Sequence, residues 1–199
     1  MARRKVDVRR EEILDATVAQ VEQHGLAATR VSDVAAVLGC STALVFYHFG
    51  TKDELLVAAF EHAVSQDLGR LDAALAKGGD PVVRLGRVVR LYGPTGPAAG
   101  WKLWIDAWAY GQREPAIRAA LKRLDARWGA VLLRVVEDGV AEGSFRSADP
   151  AASVARISAL LDGLSVASLV YGSVSRRQLK AWIAEALAKE LDIDVAEIN

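Results

Sequence analysis

The side chains with the most varied chemistry in this 199-residue chain lie between Ser41 and Lys52. The stretch STALVFYHFGTK holds three aromatic residues, one of the three histidines of the chain, and a lysine shortly after Gly50. A helix that only fills a core uses the aromatic residues but has no use for the histidine and the lysine. Hydroxyl, imidazole and ammonium groups can all donate hydrogen bonds to phosphate. The stretch is therefore either an aromatic core cluster or a surface for a phosphate-rich partner.

The residues around this stretch predict a helix-turn-helix unit. Two short helices are expected at residues 31–38 and 42–48, separated by LGCST, in which Gly39 permits a left-handed backbone. In such a unit the second helix enters the major groove of DNA while the first crosses the backbone. Together with the turn and the lysine, this favours DNA binding over a plain core cluster.

Each residue of the second helix then has an expected role. Small or modest side chains at its start are expected to approach base edges, namely Ser41, Thr42, Ala43 and Leu44. Donors that follow them are expected to contact phosphates, namely Tyr47, His48 and Lys52. The remaining apolar residues are expected to pack on the first two helices, namely Val45, Phe46 and Phe49.

The whole chain is predicted to be all-α, with about nine helices. Thr51 with Glu54 and Ser175 with Gln178 have the capping-box spacing, and apolar residues between such signals recur every three or four positions. No segment alternates long enough to predict a sheet. The helices are expected at 9–24, 31–38, 42–48, 52–76, 81–92, 100–111, 115–140, 150–171 and 176–191.

Helix length predicts the domain organisation, because the first three helices are short and the later ones are longer and more apolar. Residues 1–50 are expected to form a helix-turn-helix DNA-binding domain. Residues 51–199 are expected to form a larger helical domain, whose last two helices are rich in small residues that allow close helix approach.

The sixth helix, GWKLWIDAWAYG, predicts either a ligand pocket or a close-packed core. Its tryptophans are costly in a plain core because each indole N–H needs a partner. Aromatic walls favour flat ligands or cations held by cation–π attraction. Asp106 and Asp162 are candidate polar anchors, and Asp162 interrupts an apolar stretch, where it can face the pocket, a partner subunit or water. The expected pocket residues are Tyr92, Trp101, Trp104, Ile105, Trp108, Trp128 and Asp162.

Composition narrows the remaining function classes. Lys plus Arg equals Asp plus Glu at 25 each, so net charge predicts no partner, although the first ten residues include a basic arm of Arg3, Arg4, Lys5, Arg9 and Arg10. A single cysteine excludes an internal disulfide, and no metal-ligand spacing, nucleophile–base pair or phosphate loop is present. No signal peptide or membrane span is expected, which predicts a cytoplasmic protein. No cofactor or metal is expected either.

The segment VSDVAAVLGCSTALVFYHFGTKDELL, preceded by REEILDATVAQVEQHGLAATR, resembles the DNA-binding module of the tetracycline-repressor (TetR) family. The resemblance rests on the run Phe46-Tyr47-His48-Phe49 followed by Lys52, and covers roughly the first 60 residues. It implies a homodimeric, all-helical repressor that a small ligand releases from palindromic double-stranded operator DNA. It also implies that residues 51–199 are a ligand-binding and dimerisation domain, with the dimer interface formed by the last two long helices.

The resemblance adds three residues to the expected DNA contacts, at the start of the helix expected at 31–38: Thr29, Arg30 and Ser32. Arg30 stands where the family often has threonine, so capping of that helix is expected to come from Thr29 or Ser32. Two alternatives remain at this stage. One is a structural nucleic-acid-binding protein without a ligand pocket, and the other is an all-helical enzyme with an appended DNA-binding head.

Overall fold

The computed structural model describes the backbone of residues 2–92 and 99–194, and the side chains of residues 10–92 and 100–194. Most of the predicted basic arm therefore lies outside the described side chains. The described residues confirm the all-α fold. They form nine helices: α1 (Ala2–His24), α2 (Val31–Val37), α3 (Thr42–Phe49), α4 (Lys52–Leu75), α5 (Pro81–Tyr92), α6 (Ala99–Gly111), α7 (Pro115–Ala141), α8 (Pro150–Leu169) and α9 (Arg176–Leu191).

Polar caps set several helix starts where the sequence predicts them. Thr51 Oγ1 accepts a hydrogen bond from the Glu54 amide at 3.1 Å, and Glu54 accepts one from the Thr51 amide at 2.9 Å. Ser175 and Gln178 form the same reciprocal pair at the start of α9. Each pair satisfies two backbone donors that the first helical turn leaves without partners.

The predicted capping of α2 is wrong. Arg30 occupies the N-cap position and its side chain makes no capping hydrogen bond. The Thr29 hydroxyl instead donates to the Gly25 carbonyl at 2.7 Å, and the Ser32 hydroxyl donates to Asp33 Oδ1 at 3.3 Å. The start of α2 is therefore set by the preceding turn rather than by a side-chain cap.

Two compact units make up the described chain. The first unit, here called the head unit, contains the described residues of 1–66 and 99–124. The second, here called the body unit, contains the described residues of 67–98 and 125–199. Helices α4 and α7 each contribute to both units. The domain boundary after residue 50 stays a prediction.

In the head unit, α2 and α3 form the predicted helix-turn-helix. The two helices are bent by 112° at a short break, within the range typical of this motif. Gly39 adopts a φ of 61° in the break, a left-handed conformation that glycine tolerates without strain. Apolar residues of α1 to α4 form one buried cluster beneath the motif: Ile13, Leu14, Ala16, Val31, Val34, Ala35, Val45, Phe49, Leu55 and Ala59.

Helix α3 is oriented by Val45 and Phe49, which lie four residues apart on one face and are both buried. Burial of each such side chain contributes about 1.5–3 kcal/mol, which holds the opposite face of α3 outward. Phe46 does not share this role, contrary to the prediction, and is 43% exposed. One residue along a helix turns the side chain by about 100°, so Phe46 leaves the buried face that Val45 occupies.

In the body unit, α8 and α9 pack against each other. Their buried residues include Leu161 and Ser165 on α8 and Ile183 and Leu187 on α9. By length and composition alone α8 could also cross a membrane, although no span was expected there, and core helices of soluble proteins pass the same test. Arg156 on this helix forms an ion pair with Glu190 on α9, so α8 carries a charge within its apolar sequence.

Candidate functional site

Helix α3 exposes two side chains that the sequence assigns to base edges and one that it assigns to a phosphate. Thr42 and Ala43 are exposed, and Tyr47 is 78% exposed. The Tyr47 hydroxyl has no hydrogen-bond partner among the described residues, so it is free to donate. We call the exposed residues Thr42, Ala43 and Tyr47 the reading surface.

The other assigned residues of α3 have structural tasks as well. Ser41 Oγ accepts a hydrogen bond from the Leu44 amide at 3.2 Å and thereby caps the helix. Leu44 is half-buried, and so is His48, whose ring lies edge-on to that of Tyr47 with centroids 5.5 Å apart. This contact limits the positions open to the Tyr47 ring. Ser41 remains exposed, so its hydroxyl can still reach a partner in addition to capping.

Lys52, the first residue of α4, already has a partner. Its Nζ donates to the Ala27 carbonyl, in the turn between α1 and α2, at 3.1 Å. An ammonium group has three donors, so two remain for a phosphate. The contact holds the lysine beside the α1–α2 turn and against the head unit.

At the start of α2, Arg30 and Ser32 are exposed and available to DNA. Thr29 is not, because it is 2% exposed and its hydroxyl is already bonded to Gly25. A buried side chain with its donor engaged has no route to a phosphate. We therefore remove Thr29 from the predicted DNA contacts. Nothing in the local sequence indicates that this threonine is buried.

A second cation lies near the end of α3. The guanidinium of Arg10 lies over the Phe49 ring at 4.8 Å from its centroid, within cation–π distance. The contact joins the described end of the basic arm to the helix that carries the reading surface. Positive charge at this end of the head unit favours association with a polyanion.

In the body unit, the structure brings together three of the predicted ligand residues from α5, α7 and α8. The Tyr92 hydroxyl donates to Asp162 Oδ1 at 3.0 Å. The Tyr92 and Trp128 rings meet edge to face, with centroids 5.3 Å apart and planes at 82°. We call Tyr92, Trp128 and Asp162 the aromatic–carboxylate site.

The electrostatics of this site are anionic. Burial raises the pKa of Asp162 above its ordinary value, the Tyr92 hydrogen bond lowers it, and the nearby charge of Asp125 raises it again. Burial also raises the pKa of Tyr92, with Asp162 adding to the rise, so its hydroxyl remains a donor. No salt bridge to Asp162 is found among the described residues. A partly desolvated carboxylate without a cationic partner can accommodate a cation.

The predicted tryptophans of α6 form another group, which belongs to the head unit. The Trp108 ring contacts those of Trp101 and Trp104, with centroid distances of 5.9 Å and 6.5 Å respectively. Phe60 of α4, which the sequence prediction missed, meets Trp104 edge to face at 5.1 Å. All four predicted residues of α6, including Ile105, are half-buried. The single pocket expected from the sequence thus corresponds to two groups, each within its own unit.

Asp106, the other proposed anchor, accepts a hydrogen bond from the Leu26 amide in the α1–α2 turn. Within the described part of the chain, no group of three or more His, Cys, Asp or Glu side chains could hold a metal ion.

Two family models match the sequence. Residues 13–59 match the bacterial regulatory proteins of the tetR family, and residues 81–192 match the C-terminal domain of BetI-type transcriptional repressors. The first match contains the helix-turn-helix, and the second contains all three residues of the aromatic–carboxylate site.

Individual relatives agree with the family models. The chain is 33% identical over 116 residues to the HTH-type transcriptional regulator BetI of Paraburkholderia phymatum, covering 56% of this chain and 59% of that protein. It is 31% identical over 166 residues to the BetI regulator of Paraburkholderia xenovorans, covering 79% of this chain and 80% of the relative. The chain thus spans about three fifths of the first relative and four fifths of the second.

Among solved structures, the chain is similar to a putative transcriptional regulator from Saccharomonospora viridis in complex with choline. The two share 26% sequence identity with a TM-score of 0.84. The similarity covers 93% of this chain and 98% of the other.

Proposed function

Because the chain belongs to the tetR family of bacterial regulatory proteins, with a BetI-type C-terminal domain, we propose that it is a homodimeric repressor released from operator DNA by a small quaternary ammonium compound. The family membership makes it a transcriptional repressor that binds DNA through its helix-turn-helix. The dimer, the symmetry of the operator and the class of effector are parts of the proposal. A repressor of chromosomal genes acts in the cytoplasm.

DNA recognition is assigned to the reading surface and the donors around it. Thr42 and Ala43 are small enough to approach base edges, with a hydroxyl for hydrogen bonding and a methyl for thymine. Tyr47, Lys52 and Arg30 supply donors for phosphates, which fix the register of the head on the duplex. In a symmetric dimer the two heads read equivalent half-sites about one helical turn apart.

Selection from a pool of random duplexes tests this assignment without knowledge of the natural operator. The full-length protein is expected to enrich a sequence with two-fold symmetry and half-sites spaced by about one turn of DNA, ~10 base pairs or a multiple. Thr42→Ala should change which bases are enriched, because its hydroxyl is assigned to a base edge. Enrichment of no sequence at physiological salt, where non-specific binding is weak, would contradict the proposal.

The observation that carries the effector class is the carboxylate of Asp162, which forms no ion pair among the described residues and lies beside two aromatic rings. Cation–π attraction to Trp and Tyr is the usual way in which proteins hold quaternary ammonium groups. The ring of Trp128, the ring of Tyr92 and the charge of Asp162 supply both parts of such a site. An anion would be repelled by Asp162 and Asp125 together. The choline in the Saccharomonospora viridis regulator supports the same class, so choline is the first compound to test.

Choline releases the repressor from operator DNA if it binds the dimer arrangement that does not fit the operator more tightly than the one that does. A ligand shifts an equilibrium only by its differential affinity for the two states, and couplings of about 1–3 kcal/mol are ordinary. Helices α4 and α7 each contribute to both units, so the chain itself links the aromatic–carboxylate site to the head. This continuity supplies a physical route for the coupling.

The proposed dimer interface uses the faces of α8 and α9 that the protomer leaves exposed. Ile183 and Leu187 are buried within the protomer, so they are not part of it. Ala155, Ala159 and Gly163 are exposed on α8, and Trp182 on α9 is 43% exposed. Small residues on α8 permit close approach of a second helix, and Trp182 offers apolar area.

Gly163→Arg is expected to convert the dimer to monomers without unfolding the protomer. A Cβ at Gly163 has nothing within 4 Å, so the protomer has room for a side chain there. A large side chain at this position would, however, block the close approach of a partner helix. Light scattering of the purified variant at micromolar concentration measures the change in mass. Gly69→Arg on α4, where a Cβ also meets nothing within 4 Å, is the matched control and should stay dimeric. A dimeric Gly163→Arg protein would place the interface elsewhere.

A further inference from the structure

Helix α6 carries two different faces within the head unit. Trp104 and Trp108 lie on one side with Trp101, as described above. Asp106 and Tyr110 each follow one of these tryptophans by two residues, or about 200° around the helix, and so lie on the opposite side. Since they are four residues apart, their side chains stand on one face, one helical turn from each other.

Asp106 contacts the turn that leads into the helix-turn-helix. Its carboxylate accepts a hydrogen bond from the Leu26 amide, and Leu26 itself is fully buried. Gly25, one residue earlier, has a φ of 82°, and a Cβ there would lie 3.1 Å from Asp106 Oδ2. A side chain at residue 25 would crowd the carboxylate and would also strain the backbone at this φ. Loss of the acceptor would leave a buried N–H without a partner.

Tyr110 contacts the start of α4. Its hydroxyl donates to Asp53 Oδ1 at 3.2 Å, in the first turn of that helix. Lys52, the residue before Asp53, donates to the Ala27 carbonyl at 3.1 Å. The α1–α2 turn is thus held on one residue by α6 and on the next by α4, while α6 is also tied to α4. These three hydrogen bonds join residues that are 80, 57 and 25 positions apart in the chain. Together they connect the α1–α2 turn, α4 and α6 to one another within the head unit.

We infer that Asp106 and Tyr110 are positioning residues for DNA recognition, although they lie far outside the helix-turn-helix in sequence. Asp106 sets the α1–α2 turn, from which α2 and then α3 follow, and Tyr110 sets the start of α4. The pair makes α6 the element that fixes where the reading surface stands. This inference rests on the proposed function for its duplex and for choline as a probe.

The first measurement is the affinity of the full-length Asp106→Ala protein for the duplex selected by the wild-type protein. The affinity is expected to fall about tenfold, a size ordinary for residues that act on a site without touching it. The slope of log affinity against log salt should not change, because no charge at the DNA is removed. Asp106→Asn keeps an acceptor oxygen and should restore most of the affinity. Asp72→Ala, a carboxylate removed from an exposed position of α4, should have no effect.

The second measurement separates positioning from a merely structural role. Choline affinity without DNA should stay within about twofold of wild type in Asp106→Ala, while the ratio of duplex affinities without and with saturating choline falls towards one. Tyr110→Phe, which keeps the ring and removes only the Asp53 hydrogen bond, should lower the same ratio. A structural role would lower thermal stability and leave the ratio unchanged.

Wild-type duplex affinity and an unchanged ratio in a folded Asp106→Ala protein would overturn the inference. If that variant does not fold, an unchanged ratio in Tyr110→Phe would overturn it instead. Failure of choline to release the wild-type protein contradicts the proposed effector, and the duplex affinities measured without choline still decide the positioning role.

Discussion

Asp162→Asn is expected to lower the affinity for choline by about thirtyfold or more while the protein stays folded. Removal of one member of a buried charge pair costs about 2 kcal/mol or more, and 1.4 kcal/mol is a factor of ten. Asparagine has the same shape and keeps an oxygen that can accept the Tyr92 hydrogen bond, so packing should not change. Calorimetric titration of the purified protein with choline measures the effect.

The free energy of unfolding of Asp162→Asn should not fall with its choline affinity. Because burial raises the pKa of Asp162, the folded protein binds this proton more tightly than the unfolded chain. The group therefore stabilises the fold fully below its ordinary pKa, and this contribution is lost as the pH rises through the folded pKa. At neutral pH the Asn variant lacks this cost, so it should be at least as stable as the wild type.

Choline affinity of the wild type should fall as the pH is lowered through the folded pKa of Asp162, because a neutral carboxyl no longer attracts the cation. The raised pKa places this loss at higher pH than for an ordinary aspartate. In Asp162→Asn the profile should be flat over the same range. Asp72→Asn, on an exposed part of α4, is the control and should match the wild type. An Asn variant with unchanged affinity would exclude Asp162 from the effector site.

Tyr47→Phe is expected to weaken duplex binding by about a hundredfold in the dimer. A hydrogen bond to a charged group contributes about 1.5 kcal/mol or more, which is about tenfold in each protomer. The hydroxyl is free among the described residues and the ring is 78% exposed, so its removal should not disturb the fold. Fluorescence anisotropy with the selected duplex, at several salt concentrations, measures the affinity.

Lys52→Ala should differ from Tyr47→Phe in its salt dependence. Loss of the lysine removes one phosphate contact per protomer, so the slope should fall by about two in the dimer, whereas Tyr47→Phe should leave it unchanged. Both variants should weaken binding similarly across duplex sequences. Tyr171→Phe, another tyrosine that is 75% exposed, serves as the control. If Lys52→Ala leaves the slope and the affinity at wild-type values, Lys52 does not contact phosphate.

Local signals in the sequence were sufficient for the fold. Capping boxes such as Thr51 with Glu54, and glycines such as Gly39, act over three or four residues, so the helix boundaries agree with the structure to within two residues apart from the start of α1. The helix-turn-helix follows for the same reason, because its two helices and its turn are adjacent in the chain.

Contacts between distant residues were not predictable in the same way. The sequence cannot tell that α6 belongs with the head unit, since the partners Asp106 and Leu26 are 80 residues apart. The sequence prediction placed all these aromatic residues in one pocket because residue type alone does not distinguish one buried site from another. Phe46 was assigned to the core by residue type alone, and Thr29 to the surface, and burial reverses both assignments.

We propose above that one small cation releases this protein from DNA. Titration of choline into the protein–duplex complex measures that release. The selected duplex carries a fluorophore, and anisotropy is followed at constant ionic strength, with sodium chloride replacing choline chloride in the control. We expect choline to lower the anisotropy to that of free duplex, and the Asp162→Asn protein to require far more choline. Anisotropy that stays at the bound value through saturating choline would show that choline does not release this protein from DNA.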